Sequence, residues 1–121
     1  MHDLIHLIRP DNYADEVLSI KKPVLLLCMP RGDDFSTQLI LMEEIAANHG
    51  LWLKVGLLAE AFTEYFKNKF DISGTPTFLI ILKGEEKNRM LGLADSRTLE
   101  RFVLETLQLE DVRAAAELSN Y

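Results

Sequence analysis

The sequence has a single cysteine and fewer basic than acidic residues. Its 121 residues contain one cysteine, Cys28, which excludes an intrachain disulfide, a Cys-x-x-Cys redox pair and a zinc site built from several cysteines. Lysine and arginine number 13 against 19 aspartates and glutamates, which gives a formal net charge of −6. This acidic balance argues against a nucleic-acid-binding surface, because binding phosphates requires clustered lysine and arginine side chains.

Long apolar runs are also missing. None approaches the roughly 20 residues that a membrane-spanning helix needs, so we expect no membrane partner. The N-terminus, Met1-His2-Asp3, lacks the basic and apolar regions of a secretory signal, and we therefore expect a cytoplasmic protein. The composition is otherwise that of an ordinary folded domain, with 48% hydrophobic and 26% charged residues.

The periodicity of the apolar residues predicts an alternation of strands and helices. Five short apolar or β-branched segments have the length of strands, and they cover residues 4–8, 24–29, 51–58, 77–82 and 87–91. Helical spacing is found in residues 11–20, from residue 35 to a stop at Asn48-His49-Gly50, and in 62–70 and 96–107. A short alanine-rich helix is predicted at 112–118. The polar character of 87–91 predicts an edge strand.

The order of these elements predicts an α/β fold. Strands separated by helices pair in parallel through right-handed crossovers, and the hairpin around Gly84 adds antiparallel strands. We therefore expect a mixed central sheet of about five strands, flanked by helices on both faces. One domain is predicted over residues 1–108, followed by a C-terminal helical extension over residues 109–121.

Several short motifs resemble the thioredoxin family, over about residues 5–107. Lys22-Pro23-Val24-Leu25 is similar to the start of that family's central strand, and Glu44-Ile45-Ala46 is similar to the end of its active-site helix. Ile72-Ser73-Gly74-Thr75-Pro76-Thr77 resembles the loop that carries its cis-proline, while Gly84 and Gly92 match glycines of its last hairpin. The resemblance implies a thioredoxin-like fold with a cis peptide bond between Thr75 and Pro76.

The residues that carry the chemistry of that family are absent. Its Trp-Cys-Gly-Pro-Cys motif falls on Arg31-Gly32-Asp33-Asp34-Phe35, so that Gly32 and Phe35 replace both cysteines. Leu26 stands where the family has a buried aspartate that assists proton transfer, and Leu57 stands in place of a neighbouring lysine. Loss of the whole set implies a redox-inactive member of the family with no cofactor and no catalytic residue.

A redox-inactive member keeps the surface on which the family holds extended peptides. The resemblance therefore implies a protein-binding, peptide-binding or chaperone-like module. The expected binding residues lie in three loops and are Arg31, Gly32, Asp33, Asp34, Phe35, Thr75, Pro76, Gly92, Leu93 and Ala94. In this function Phe35 adds an apolar contact, and the backbone of Thr75 pairs with the bound peptide as in strand addition.

Asp33 and Asp34 have two interpretations. At the start of a helix their carboxylates accept hydrogen bonds from free backbone N–H groups, and we expect Ser96 to cap the last helix in the same way. Alternatively, the two aspartates form an acidic patch that recognises a basic partner. A metal site is disfavoured here because no further ligand lies near them, and at the N-terminus because His2 and His6 on one strand are too far apart to share an ion.

Two other functions stay open as alternatives. A monothiol oxidoreductase or peroxidase would use Cys28, which lies near the C-terminal end of its strand, where ligands bind in α/β sheets. The apolar run around Cys28 instead favours a buried, inert thiol. The second alternative is a structural subunit, in which the C-terminal extension or the edge of the first strand joins a homodimer or a larger assembly.

Overall fold

The computed structural model describes residues 4–118, and the side chains of residues 4–111. Its strands are β1 (His6–Ile8), β2 (Val24–Cys28), β3 (Lys54–Leu58), β4 (Thr77–Leu82) and β5 (Glu85–Leu91). Its α-helices are α1 (Phe35–His49), α2 (Thr63–Phe70) and α3 (Ser96–Leu118). A π-helix covers Ala14–Leu18 and a 3-10 helix covers Glu60–Phe62. The predicted mixture of strands and helices is confirmed.

The strands form one mixed sheet in the order β1-β3-β2-β4-β5. β3 pairs in parallel with β1 and β2, whereas β4 is antiparallel to both β2 and β5. The predicted five-stranded mixed sheet is therefore confirmed. β5 lies at an edge, as its polar residues predict. A two-residue turn joins it to β4, in which Lys83 and Gly84 have φ angles of 53° and 82°.

β2 runs through the centre of the sheet and is buried on both faces. All five of its residues are buried, as a continuous apolar run predicts for a central strand. Leu25 and Leu27 belong to one apolar cluster, which also contains Leu99 of α3. Leu26 and Cys28 belong to a second cluster, which contains a buried phenylalanine of α2. Both faces of β2 are therefore packed against apolar side chains.

Several predicted elements begin or end differently in the structure, including β1, which starts at His6, and β5, which starts at Glu85. The first predicted helix is reduced to the π-helix, where the Ser19 hydroxyl donates to the Asp15 carbonyl oxygen at 2.7 Å and competes with the helical ladder. β3 starts at Lys54, later than predicted. The two backbone N–H groups before Lys54 donate to the His49 carbonyl oxygen and complete the end of α1 instead of pairing in the sheet.

The capping predictions were wrong at two helices. Asp34 precedes α1, but its backbone is already helical and its side chain makes no capping hydrogen bond, so the capping role expected of Asp33 and Asp34 fails for Asp34. Ser96 is the first residue inside α3. The cap is Asp95, whose carboxylate accepts a hydrogen bond from the Thr98 N–H at 2.8 Å, and this bond lowers the pKa of Asp95.

α3 continues as one helix from Ser96 to Leu118. The short helix predicted at 112–118 therefore prolongs α3, and the last three residues of the predicted extension lie outside the described residues. Leu99, Phe102 and Val103 of α3 are all buried and belong to the first apolar cluster. His2 and Asp3 also lie outside the described residues.

Candidate functional site

Strand register brings the three predicted loops together at one end of the strands. Cys28 of β2 pairs with Thr77 of β4, and Thr77 pairs in turn with Leu91 of β5. The chain that leaves β2, the chain that enters β4 and the chain that leaves β5 therefore emerge side by side. We refer to residues 31–35, 75–76 and 92–94 together as the three-loop surface.

The first loop presents charged side chains to solvent. Its exposed residues are Arg31, Gly32, Asp33 and Asp34. Within the described part of the chain, the side chains of Arg31, Asp33 and Asp34 form no ion pair. Phe35 is half-buried against the first apolar cluster, and the guanidinium carbon of Arg31 lies 5.4 Å from the centre of its ring. The Arg31 N–H donates to the Glu60 carboxylate, which holds the loop against the 3-10 helix.

The second loop contains a cis peptide bond between Thr75 and Pro76, as the resemblance implied. Pro76 is buried, and its carbonyl oxygen accepts a hydrogen bond from the Gly92 N–H at 2.8 Å. Thr75 is exposed, and its backbone N–H and C=O have no hydrogen-bond partner among residues 4–118. Thr77 closes the loop through a hydrogen bond from its hydroxyl to the Gly74 carbonyl oxygen at 2.6 Å.

The third loop places an exposed leucine between two anchored residues. Gly92 has a φ of 109°, a conformation that favours glycine. Leu93 is 56% exposed, and Leu91, just before the loop, is 62% exposed. Ala94 is buried, so it exposes little surface at this site. A Cβ atom on Gly74 would lie 3.5 Å from the Leu91 side chain, which places Leu91 beside the second loop.

Two residues of the site were missed by the sequence analysis. Gln38 is 2% exposed, and its side-chain amide makes two hydrogen bonds of 3.0 Å with the backbone N–H and C=O of Ala94. Glu60 binds the Arg31 N–H. The sequence did contain a signal for Gln38. Helical spacing places it on the inward face of α1 with Met42 and Ile45, where a polar side chain needs a buried hydrogen-bond partner. No local pattern marked Glu60.

Cys28 is not part of the exposed surface. It is 1% exposed in the second apolar cluster. Burial raises the pKa of its thiol, Lys67 partly opposes the shift, and Glu64 adds to it. Since the thiolate is the reacting form of cysteine, this environment disfavours thiol chemistry.

The two histidines in the described part of the chain, His6 and His49, each lie next to a carboxylate. The Lys54 ammonium group is buried and donates to the carbonyl oxygen and the carboxylate of Glu16, which lies 3.5 Å from His6. His49, at the end of α1 as predicted, bonds to Glu100 at 2.9 Å. Among the described residues, no group of three or more histidine, cysteine, aspartate or glutamate side chains is placed to hold a metal ion.

A groove of about 800 Å³ lies at the opposite end of the β4–β5 hairpin. Its walls include Trp52, Leu82, Lys83, Leu104 and Leu107. Leu82 and Lys83 adjoin the turn that ends β4, whereas the three-loop surface adjoins the start of β4. The groove and the three-loop surface are therefore separate features.

No protein-family model and no curated protein matches the chain. Over residues 4–118, no helix has both the length and the apolar composition needed to cross a membrane.

Proposed function

We propose that this chain is a redox-inactive, thioredoxin-like protein that binds an extended segment of another protein on the three-loop surface. The observation that carries the proposal is that Thr75 is an exposed residue whose backbone N–H and C=O lack partners within the described chain. An extended peptide satisfies such groups through main-chain hydrogen bonds, and neighbouring side chains then select its sequence.

The thioredoxin-like fold is supported by the order of elements and by their packing. α1 and α3 contribute to the first apolar cluster, while α2 contributes to the second, and alternate residues of β2 face these two clusters. This arrangement agrees with helices on both faces of the sheet. The loop with the Thr75–Pro76 bond also precedes β4, the position that the resemblance implied.

The absence of redox chemistry is supported by the two positions that replace the family's cysteines and by the burial of the only thiol. Gly32 and Phe35 provide no sulfur, and Cys28 is packed within the sheet. Reduction of insulin by dithiothreitol should therefore proceed at its uncatalysed rate when the protein is added. Turnover like that of an active thioredoxin would contradict the proposal.

The chemistry of the surface favours a peptide that alternates apolar and basic residues. Leu91 and Leu93 expose apolar area on either side of Gly92, which suits large apolar side chains. The carboxylates of Asp33 and Asp34 have no internal ion pair among the described residues and suit lysine or arginine. Successive side chains of a bound strand point to opposite sides, so one peptide reaches both features.

The binding test uses a fluorescein-labelled 12-residue peptide of alternating leucine and lysine. A second peptide with serine in place of leucine keeps the charge and serves as the ligand control. We expect the leucine peptide to bind and to shift the NMR signals of the Thr75 and Leu93 amides. A Leu93→Ser variant should bind it about tenfold more weakly. Leu109→Ser is the matched protein control, because Leu109 is 55% exposed on α3.

Two outcomes would contradict the proposed function. Equal binding of the leucine and serine peptides would mean that only net charge attracts them. Equal weakening by Leu93→Ser and Leu109→Ser would mean that the peptide does not distinguish the three-loop surface from another exposed apolar position.

A further inference from the structure

The three loops of the surface are connected by a continuous set of hydrogen bonds. The Gln38 N–H donates to the Asp34 carbonyl oxygen, and the Gln38 side chain bonds to Ala94. Two residues earlier, the Gly92 N–H donates to the carbonyl oxygen of Pro76. The first loop is thus tied to the third through Gln38, and the third loop is tied to the second through the backbone.

The Gln38 amide uses both its oxygen and its nitrogen on one residue. Its Nε2 donates to the Ala94 carbonyl oxygen, and its Oε1 accepts from the Ala94 N–H, each at 3.0 Å. Ala94 belongs to no strand, so these are the bonds that satisfy its buried backbone. A buried N–H or C=O without a partner is strongly unfavourable, and the loop would have to move outward to hydrate both groups.

We propose that Gln38 is a positioning residue for peptide binding, which fixes the third loop against α1 and thereby sets where Leu93 meets the peptide. Gln38 is 2% exposed, so its side chain is not part of the surface that a bound peptide would contact. This inference rests on the proposed function, because it assigns the geometry of the same surface. The effect of Gln38 on peptide binding and its effect on the position of the third loop are measured separately below.

The substitution Gln38→Glu gives a test that pH can reverse. The neutral carboxylic acid has one donor and one acceptor, so it reproduces both bonds to Ala94, whereas the carboxylate has no donor for the Ala94 carbonyl oxygen. Burial disfavours the charged form of the new glutamic acid, which is therefore neutral at low pH. Asp34, which lies four residues before Gln38, and Asp95, which follows Ala94, are exposed acids that disfavour a further negative charge by repulsion.

We expect the Gln38→Glu variant to bind the leucine–lysine peptide within about twofold of the native protein near pH 5, and about tenfold more weakly near pH 8. The native protein, measured in parallel, corrects for the titration of every other group. Gln38→Met, which lacks the pairing at any pH, should bind weakly throughout. Hydrogen exchange of the Ala94 amide, expressed as a protection factor, reports the loop directly and should fall only in the states that bind weakly.

Failure of this inference differs from failure of the proposed function. If the native protein does not bind the peptide, the proposed function is wrong, and the protection factor of the Ala94 amide still decides whether Gln38 positions the loop. If the Gln38→Glu variant loses protection near pH 8 but binds as the native protein does, the loop is irrelevant to binding and the inference is overturned. Unchanged protection in both variants overturns it as well.

Discussion

The burial of Cys28 predicts that its thiol resists alkylation in the folded protein. β2 lies between β3 and β4, and the Cys28 side chain is 1% exposed within an apolar cluster. Iodoacetamide can therefore react with Cys28 only after the central strand has opened. Burial also raises the pKa of the thiol above its ordinary value of 9.0, which lowers the thiolate fraction of the folded state further.

The size of the protection follows from the energy of opening. A folded domain typically has a free energy of unfolding of at least about 5 kcal/mol, and about 1.4 kcal/mol corresponds to a factor of ten. If exposure of Cys28 requires global unfolding, at most about one molecule in 5,000 is open at a given moment. We expect alkylation near pH 8 to be slower than in urea by about this factor or more.

Mass spectrometry of a Gly32→Cys variant provides the assay and its internal control. Gly32 is exposed, and a Cβ atom there meets no atom within 4 Å, so the new thiol should react without disturbing the fold. The folded Gly32→Cys variant should take up one label quickly, whereas the same variant unfolded in urea should take up two. Rapid double labelling of the folded variant would refute the argument and would support an accessible, reactive Cys28.

Three further predictions concern stability. Leu99→Ala should lower the free energy of unfolding by about 2–5 kcal/mol in urea denaturation, because Leu99 is fully buried, whereas Leu109→Ala should change it by less than about 0.5 kcal/mol. Burial and the nearby Glu86 raise the pKa of Tyr13 from 10.0 to about 12, so the unfolded state ionises first. The protein should lose up to about 2.7 kcal/mol between pH 10 and 12, and Tyr13→Phe should reduce that loss in alkaline denaturation curves. The lowered pKa of Asp95 gives stability that is present at neutral pH and lost on acidification below about pH 4; an Asp95→Asn variant, whose cap carries no charge, should have a flatter acid profile of melting temperature.

The sequence was sufficient where the cause of a structure is local. The run 24–29 predicted a central strand because all of its side chains are apolar, and β2 occupies Val24–Cys28. β4 was predicted at both ends because Pro76 and Gly84 bracket a β-rich run. The first helix is shorter than predicted for an equally physical reason, since the Ser19 hydroxyl competes there for a helical carbonyl oxygen.

The assembly of the candidate site depends on contacts that local patterns do not encode. Gln38 and Ala94 are 56 positions apart, and Arg31 and Glu60 are 29 apart. Periodicity places Gln38 on the inward face of α1, but the choice of its partner is made by strand order and register. The resemblance supplied the loops of the site, whereas the hydrogen bonds that join them became visible only in the folded chain.

The position of Trp52 gives the molecule a built-in optical probe. It is the chain's only tryptophan, it lines the groove, and its ring meets that of His49 edge-on with the centroids 5.0 Å apart. Indole emission therefore reports on the end of the β4–β5 hairpin remote from Thr75. Ligands that settle near Leu93 will leave that emission spectrum unaltered, whereas molecules entering the groove will shift or quench it. Intrinsic fluorescence thus distinguishes occupancy of the two ends without any dye.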